Sequence, residues 1–322
     1  MAATSVFPEA IPPVSPTRKL LLLPTVAKLR TNHGSPAGRG RGKSNTGIRT
    51  ALVLGILLAL VLYLLVDQPG ATERGSGFGE SPSGRRDYLP TGPADQVIDH
   101  EYFSLGYDND WELARWTAHH LTAEQVRAKG VRRADDFRPD EAVRDGSAER
   151  SDYRRSGYSR GHLVPFGDLN YDAEAGRETF LYSNMAPQLI EHNAAVWREL
   201  EDNIRDWAVD HGALYIITGP VVGLSPKRIG PNQVAVPEAF YKILLTERGE
   251  AIAFVIPHQR QEAPLHAFAK TVDEAEAMTG LDFFPELADL ATPTAEANFD
   301  LGEWPVDERR FRRRIEQWNR QR

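Results

Sequence analysis

Sixteen uncharged apolar residues in unbroken succession, 51–66, divide this chain before any other feature can act on its fold. As a helix the run spans roughly 24 Å at about 1.5 Å per residue. Ile48 and Thr50 extend it towards the roughly 30 Å of a bilayer's hydrocarbon. No polar stripe interrupts it, which argues against a core helix lying under a solvated face. The long basic stretch before it, and the lack of a small-x-small site after it, argue against a cleaved secretory signal. The sequence therefore predicts one membrane-spanning helix over 47–67. Residues 1–50 hold eight Lys or Arg against a single acid, Glu9. By the positive-inside rule, the N-terminus is expected in the cytoplasm and the remainder outside it, in a periplasmic or extracellular space.

Residues 1–46 are rich in Pro, Gly, Ser, Thr and basic side chains, including Gly38-Arg39-Gly40-Arg41-Gly42-Lys43. Such a segment buries too little apolar surface to offset its ordering entropy and is expected to be disordered. A Gly/Pro/Ser-rich stretch over 68–96 reads as a flexible linker. The body is expected over 97–290, followed by a polar tail, 291–322, with Arg309, Arg310, Arg312, Arg313 and Arg314 around a short helix. That tail reads either as a solvated charged helix or as a patch for nucleic acid or lipid.

There is no cysteine, which excludes disulfides, thiolate metal sites and cysteine nucleophiles. The net charge of −7 conceals an asymmetry, because beyond residue 50 there are 30 Lys or Arg against 44 Asp or Glu. An acidic body lacks the basic footprint of a tight nucleic-acid binder, so any work on nucleic acid needs a local basic groove.

Within the body, residues 102–107 and 113–119 read as strands joined by an Asp-Asn-Asp turn. Residues 213–219 read as a buried central strand, and 238–246 with 251–256 as a hairpin around Arg248-Gly249. Apolar residues at helical spacing (Val196, Trp197, Leu200, Ile204, Trp207) predict a helix over 188–209. A second helix over 272–278 stops at Gly280. Strands and helices interleave without βαβ regularity, so the expected class is α+β.

Two stretches carry chemistry: Gly157-Tyr158-Ser159-Arg160-Gly161-His162-Leu163-Val164-Pro165, and Glu191-His192-Asn193-Ala194-Ala195-Val196-Trp197-Arg198-Glu199-Leu200-Glu201. An imidazole titrates near neutrality and suits proton transfer. An amide oxygen and a carboxylate suit a hard divalent cation. His119 and His120 at a strand end read as packing or surface residues. His192 is left out because adjacent helical residues do not share a face, and Trp197 reads as core.

With Glu178-Thr179-Phe180-Leu181-Tyr182-Ser183-Asn184-Met185-Ala186-Pro187-Gln188, Thr218-Gly219-Pro220, residues 236–242 and residues 279–285, these stretches form an ordered set. Over roughly 97–285 the set resembles the DNA/RNA non-specific endonucleases. The resemblance implies an α+β, ββα-metal (His–Me finger) fold with a mixed or antiparallel central sheet. It implies hydrolysis of DNA and RNA with a single divalent cation, commonly Mg²⁺, with Mn²⁺ or another divalent cation as alternatives. His162 matches the general base and Asn193 the metal ligand. Glu201 matches the acid that holds metal-bound waters, and Arg160 a residue that positions the loop or a phosphate. Asn184 matches a position near the scissile group. Of the upstream arginines, Arg138 and Arg133 are both candidates for stabilising transition-state charge. Relatives often dimerise, which makes a homodimer a candidate assembly. The family's usual Asp before Arg-Gly-His is Ser159 here, which puts cation affinity, metal preference and rate in question. A different class of reading remains beside this one: a catalytically weak relative that binds nucleic acid or a partner. A phosphodiesterase for small nucleotides is a third.

Overall fold

The structure, a computed structural model, describes residues 87–320. The expected disordered segment, the membrane helix over 47–67 and most of the linker lie outside the described residues. Among the described residues, no helix is long and apolar enough to cross a membrane.

Seven strands form one antiparallel sheet in the order β1-β2-β3-β6-β9-β10-β11. They are β1 (Gln96–Asp99), β2 (Ser104–Asp108), β3 (Leu113–Thr122), β6 (Ala213–Val221), β9 (Ala239–Thr246), β10 (Ala251–Pro257) and β11 (Ala269–Lys270). The central strands read as continuous apolar runs because both faces of the sheet are covered. Leu214, Ile216, Leu244, Ile252, Phe254 and Ile256 point into one core. Their alternates Tyr215, Ile217, Ile243, Leu245, Ala253 and Val255 point into the other.

Three described helices exceed seven residues: α1 (Arg198–His211), α2 (Val272–Thr279) and α3 (Glu308–Arg320). Helix α1 supplies Leu200, Ile204 and Trp207 to the first core, and α2 supplies Val272 and Ala275 to the second. Helix α2 begins with a Thr271/Glu274 capping box and ends at Gly280, whose φ of 70° is left-handed. Glycine adopts that conformation without a Cβ penalty, which is why the helix stops where the sequence predicts.

A two-stranded ribbon, β4 (Ser159–His162) with β5 (Met185–Gln188), forms a sheet of its own and leads towards α1. The sequence predicts one helix from residue 188. Instead, Gln188 ends β5, and His192–Trp197 is π-helical before α1 begins. A ribbon of two strands followed by this helix is the ββα unit, and the α+β expectation holds. A third small ribbon pairs β7 (Arg228–Ile229) with β8 (Val234–Ala235).

Both edges of the body extend beyond 97–290. Tyr88 is buried, and Thr91 and Asp282 exchange backbone hydrogen bonds of 2.9 Å. Trp304 is buried against α1, packed edge-on to Trp207. A Pro305 carbonyl accepts from Trp207 Nε1 at 2.7 Å. These anchors are single aromatics in polar surroundings, so no hydrophobic period announces them.

Candidate active site

The β4–β5 ribbon pairs Gly161 with Ala186 and His162 with Met185. A Cβ at position 161 would lie 2.1 Å from Gln188 Oε1. Only glycine allows that approach, which explains the residue before the histidine. The chain leaving His162 is pinned by three groups. The Leu163 amide donates to the Asn184 carbonyl at 3.0 Å. The Asn184 side chain clasps Val164, accepting from its N–H and donating to its C=O, both at 2.9 Å. Buried Lys242 donates to the Leu163 carbonyl at 3.2 Å.

The imidazole of His162 stands edge-on to Phe180. Its Nε2 is buried without a hydrogen-bond partner among the described residues. Burial, with the nearby Arg133 and Arg160 guanidiniums, pushes its pKa down to about 3 against an upward pull from Asp135. The ring is therefore neutral at physiological pH.

Asn193 lies in the π-helical turn, where the wider coil displaces side chains from the ordinary helical positions. Its Nδ2 donates to Ser159 Oγ at 3.2 Å, and that hydroxyl donates to the Gln188 carbonyl at 2.7 Å. The serine thus fixes which end of the amide faces β4 and leaves Oδ1 without a protein donor among the described residues.

His162, Asn193, Glu201, Arg160 and Ser159 line one cleft of about 470 Å³ together with Arg133, Arg198, Asp202 and Arg205. This is the local basic groove that an acidic body requires. Beneath it runs a buried polar chain: His119 to Asp168 at 3.1 Å, and Asp168 to Arg205 at 2.7 Å. Burial raises the Glu201 pKa to about 7, opposed by Lys242 and Arg205 and reinforced by Asp168 and Asp202.

No group of three or more His, Asp or Glu among the described residues could hold a metal ion. The oxygens at hand, Asn193 Oδ1 and the Glu201 carboxylate, suit a hard cation that keeps most of its waters. The donor set suits a hard divalent cation and does not resemble a zinc site.

The sequence profile of the DNA/RNA non-specific endonucleases matches residues 83–290. The chain belongs to that family. Among relatives, the mitochondrial nuclease EXOG of Danio rerio is 34% identical over 217 residues, covering 58% of this chain and 62% of its own. Nuclease 1, mitochondrial, of Schizosaccharomyces pombe is 36% identical over 223 residues, covering 60% of this chain and 67% of its own. EndoG, solved in a complex with EndoGI that concerns its inhibition, superposes with a TM-score of 0.58 at 32% identity, covering 61% of this chain and 88% of that one. The chain thus spans about three fifths of the EXOG relative's length.

Two residues matched to the site, Asn184 and Arg138, do not themselves line the cleft. Asn184 is fully buried, and its amide is taken up by Val164 and the Thr179 carbonyl, so it shapes the turn after His162. Arg138 donates to the Arg177 and Asp136 carbonyls and does not line the cleft. Its partner candidate Arg133 does, with its guanidinium 4.8 Å over the Phe180 ring that backs His162. Sequence reasoning passed over Arg198, Arg205 and Lys242. The first sits three residues before Glu201 on the same face, and the last is a charge inside an apolar strand. If the cleft cuts phosphodiesters, Arg133→Ala is expected to lower kcat/KM about 10²-fold, on the scale of losing one transition-state donor. Arg138→Ala is expected to stay within about threefold, because surface substitutions away from such features have small effects. Steady-state kinetics with the reverse ranking would discard the assignment.

Proposed function

We infer that this protein is a divalent-cation-dependent endonuclease that hydrolyses DNA and RNA with little sequence preference. The observation that carries the reading is a neutral imidazole with an unpartnered Nε2 in the same cleft as an undonated amide oxygen and four arginines. Arg133, Arg160 and Arg198 hold the phosphate, and backbone contacts of this kind carry no sequence information. His162 Nε2 takes the proton of the attacking water. A base with a pKa near 3 is weak, but a bound phosphate offsets Arg133 and Arg160 and raises the imidazole's affinity for that proton. Asn193 and Glu201 would hold the cation and its waters, and Ser159 and Gln188 orient the amide. The cation supplies charge neutralisation at the phosphate and at the leaving 3′ oxygen. The product is a 5′-phosphate end.

Purified full-length protein is expected to degrade plasmid DNA and single-stranded RNA with Mg²⁺ and to stop when a chelator is added. Intact substrate in both Mg²⁺ and Mn²⁺, or cleavage that persists in chelator, rules the reading out. The run over 47–67 and its basic flank also support a tether that keeps the nuclease domain outside the cytoplasm. Right-side-out membrane vesicles should then cut added DNA as fast as permeabilised ones. Activity that appears only after permeabilisation reverses the topology.

A further inference from the structure

Helix α3 lies beyond the matched 83–290, and it is where the tail's arginines are concentrated. Its arginines reach back to carboxylates of α1. Arg310 Nε donates to Glu199 Oε1 at 2.9 Å, and its Nη1 to Asp206 at 2.7 Å. Arg314, one turn further on, reaches Glu199 Oε2 at 3.1 Å and also bonds Asp202. Phe311 between them is buried. The tail is therefore solvated on one face and docked on the other.

The acids it grips lie on the helix that carries Glu201. Asp202 forms part of the cleft wall. Its other oxygen meets Arg205, which is already committed to buried Asp168 at 2.7 Å. One guanidinium is thus divided between two carboxylates, and Arg314 supplies the second positive charge. Glu199 is fully buried, and apart from the two tail arginines its carboxylate takes a hydrogen bond from Asn203. Remove the tail's charges and Asp202, on the cleft wall, would face an incoming polyanion poorly compensated, with buried Glu199 adding uncancelled charge behind it.

We propose that Arg314 and Arg310 are positioning residues of the active site: α3 supplies in cis the positive charges that cancel Asp202 and Glu199, keeping the cleft attractive to a nucleic-acid backbone. The proposal rests on the nuclease reading above. It makes α3 part of the working enzyme although the family's matched region ends before it. The uncancelled charge would act on bound substrate and transition state alike, so it changes KM more than kcat.

The test uses full-length protein with Arg314→Gln, reading KM and kcat on duplex DNA and, in chelator, Kd by fluorescence anisotropy. Expected is a rise of about tenfold in KM and Kd, the scale of one unpaired charge about 10 Å from a phosphate at an effective dielectric of about 20. The change in kcat should stay within about twofold. Adding Asp202→Asn should restore KM, because the carboxylate that needed cancelling is gone. Arg309→Gln, which removes a charge from the exposed face of the same helix, should cost less than about twofold. A wild-type KM in Arg314→Gln, a loss that Asp202→Asn does not rescue, or an equal loss from Arg309→Gln overturns the proposal. Should Arg314→Gln fail to fold, Asp202→Asn alone decides, with Kd expected equal or tighter and a tenfold weakening counting against. A wild-type protein that neither binds nor cuts nucleic acid removes both readings, whereas active wild type with an unaffected Arg314→Gln removes only this one.

Discussion

His162→Ala is expected to lower kcat by about 10²- to 10⁴-fold, the range a positioned general base supplies. Duplex binding should stay near wild type, because Arg133, Arg160 and Arg198 remain in the cleft. The melting temperature should move little, since the ring is only half-buried and the Nε2 that is removed had no hydrogen-bond partner to lose. Full turnover in this variant, measured on plasmid nicking, removes His162 from the mechanism. The acid limb of kcat/KM offers a second check. His162 is held down to about 3 and stays neutral well below the ordinary histidine range. Glu201, raised to about 7, loses its charge as pH falls through neutrality. At sub-saturating Mg²⁺, activity should therefore fall as pH drops through about 7. Saturating Mg²⁺ favours the carboxylate and should shift that limb to lower pH. A limb fixed near pH 6.5 at every Mg²⁺ concentration would point to an unshifted histidine instead.

How far the sequence foretold this site depends on which residues carry a local pattern. The main sheet is legible because β6, β9 and β10 are long apolar runs bounded by turns, and because Gly249 and Gly280 mark where chains must reverse or stop. The β4–β5 ribbon has no such signature. Ser-Arg-Gly-His and Met-Ala-Pro-Gln do not alternate, and their ends are tied by tertiary contacts, Asn184 and Lys242 beyond His162 and Ser159 to the Gln188 carbonyl at the other end. The helical period of Val196, Leu200, Ile204 and Trp207 correctly announces a helix. It does not show that His192–Trp197 winds wider, since the same apolar residues face the core in either coil. Arg133 and Arg138 stay open in the sequence because the direction of a side chain in a loop is set by tertiary contacts, for Arg138 above all the carbonyl of Arg177 on a separate segment. Asn184 shows the opposite case. Its motif position is informative, but its amide serves the turn that aims His162 and not the reacting group.

Lys242→Met carries the largest expected loss of stability. The lysine sits in β9, pointing to the same face as Leu244, and is 1% exposed. Its ammonium donates to Thr218 Oγ1 at 2.8 Å and to the Leu163 carbonyl at 3.2 Å, and lies 5.1 Å over the Trp197 ring. Burial pushes its pKa down, while Glu201 and Asp168 hold the charged form in place. Methionine fills similar space without charge or donors. The substitution leaves the Leu163 carbonyl and the Thr218 hydroxyl without their buried donor and removes a positive neighbour of Glu201, while Asp168 keeps His119 and Arg205. Leaving a buried acceptor unsatisfied typically costs about 1–3 kcal/mol, and here there are two, so about 2–6 kcal/mol together. For a body of roughly 200 residues that is a fall in Tm on the order of 10 °C, readable by calorimetry. Catalysis should suffer independently at temperatures where the variant is folded. The Leu163 carbonyl loses the donor that anchors the strand end bearing His162, and Glu201 loses its strongest positive neighbour, so its pKa should rise further and the carboxylate should hold a cation less well at neutral pH. The kinetic signature is a higher Mg²⁺ requirement that eases as pH is raised. A variant that melts within about 2 °C of wild type, with an unchanged Mg²⁺ requirement, would mean that Lys242 is not the charge on which Glu201 depends.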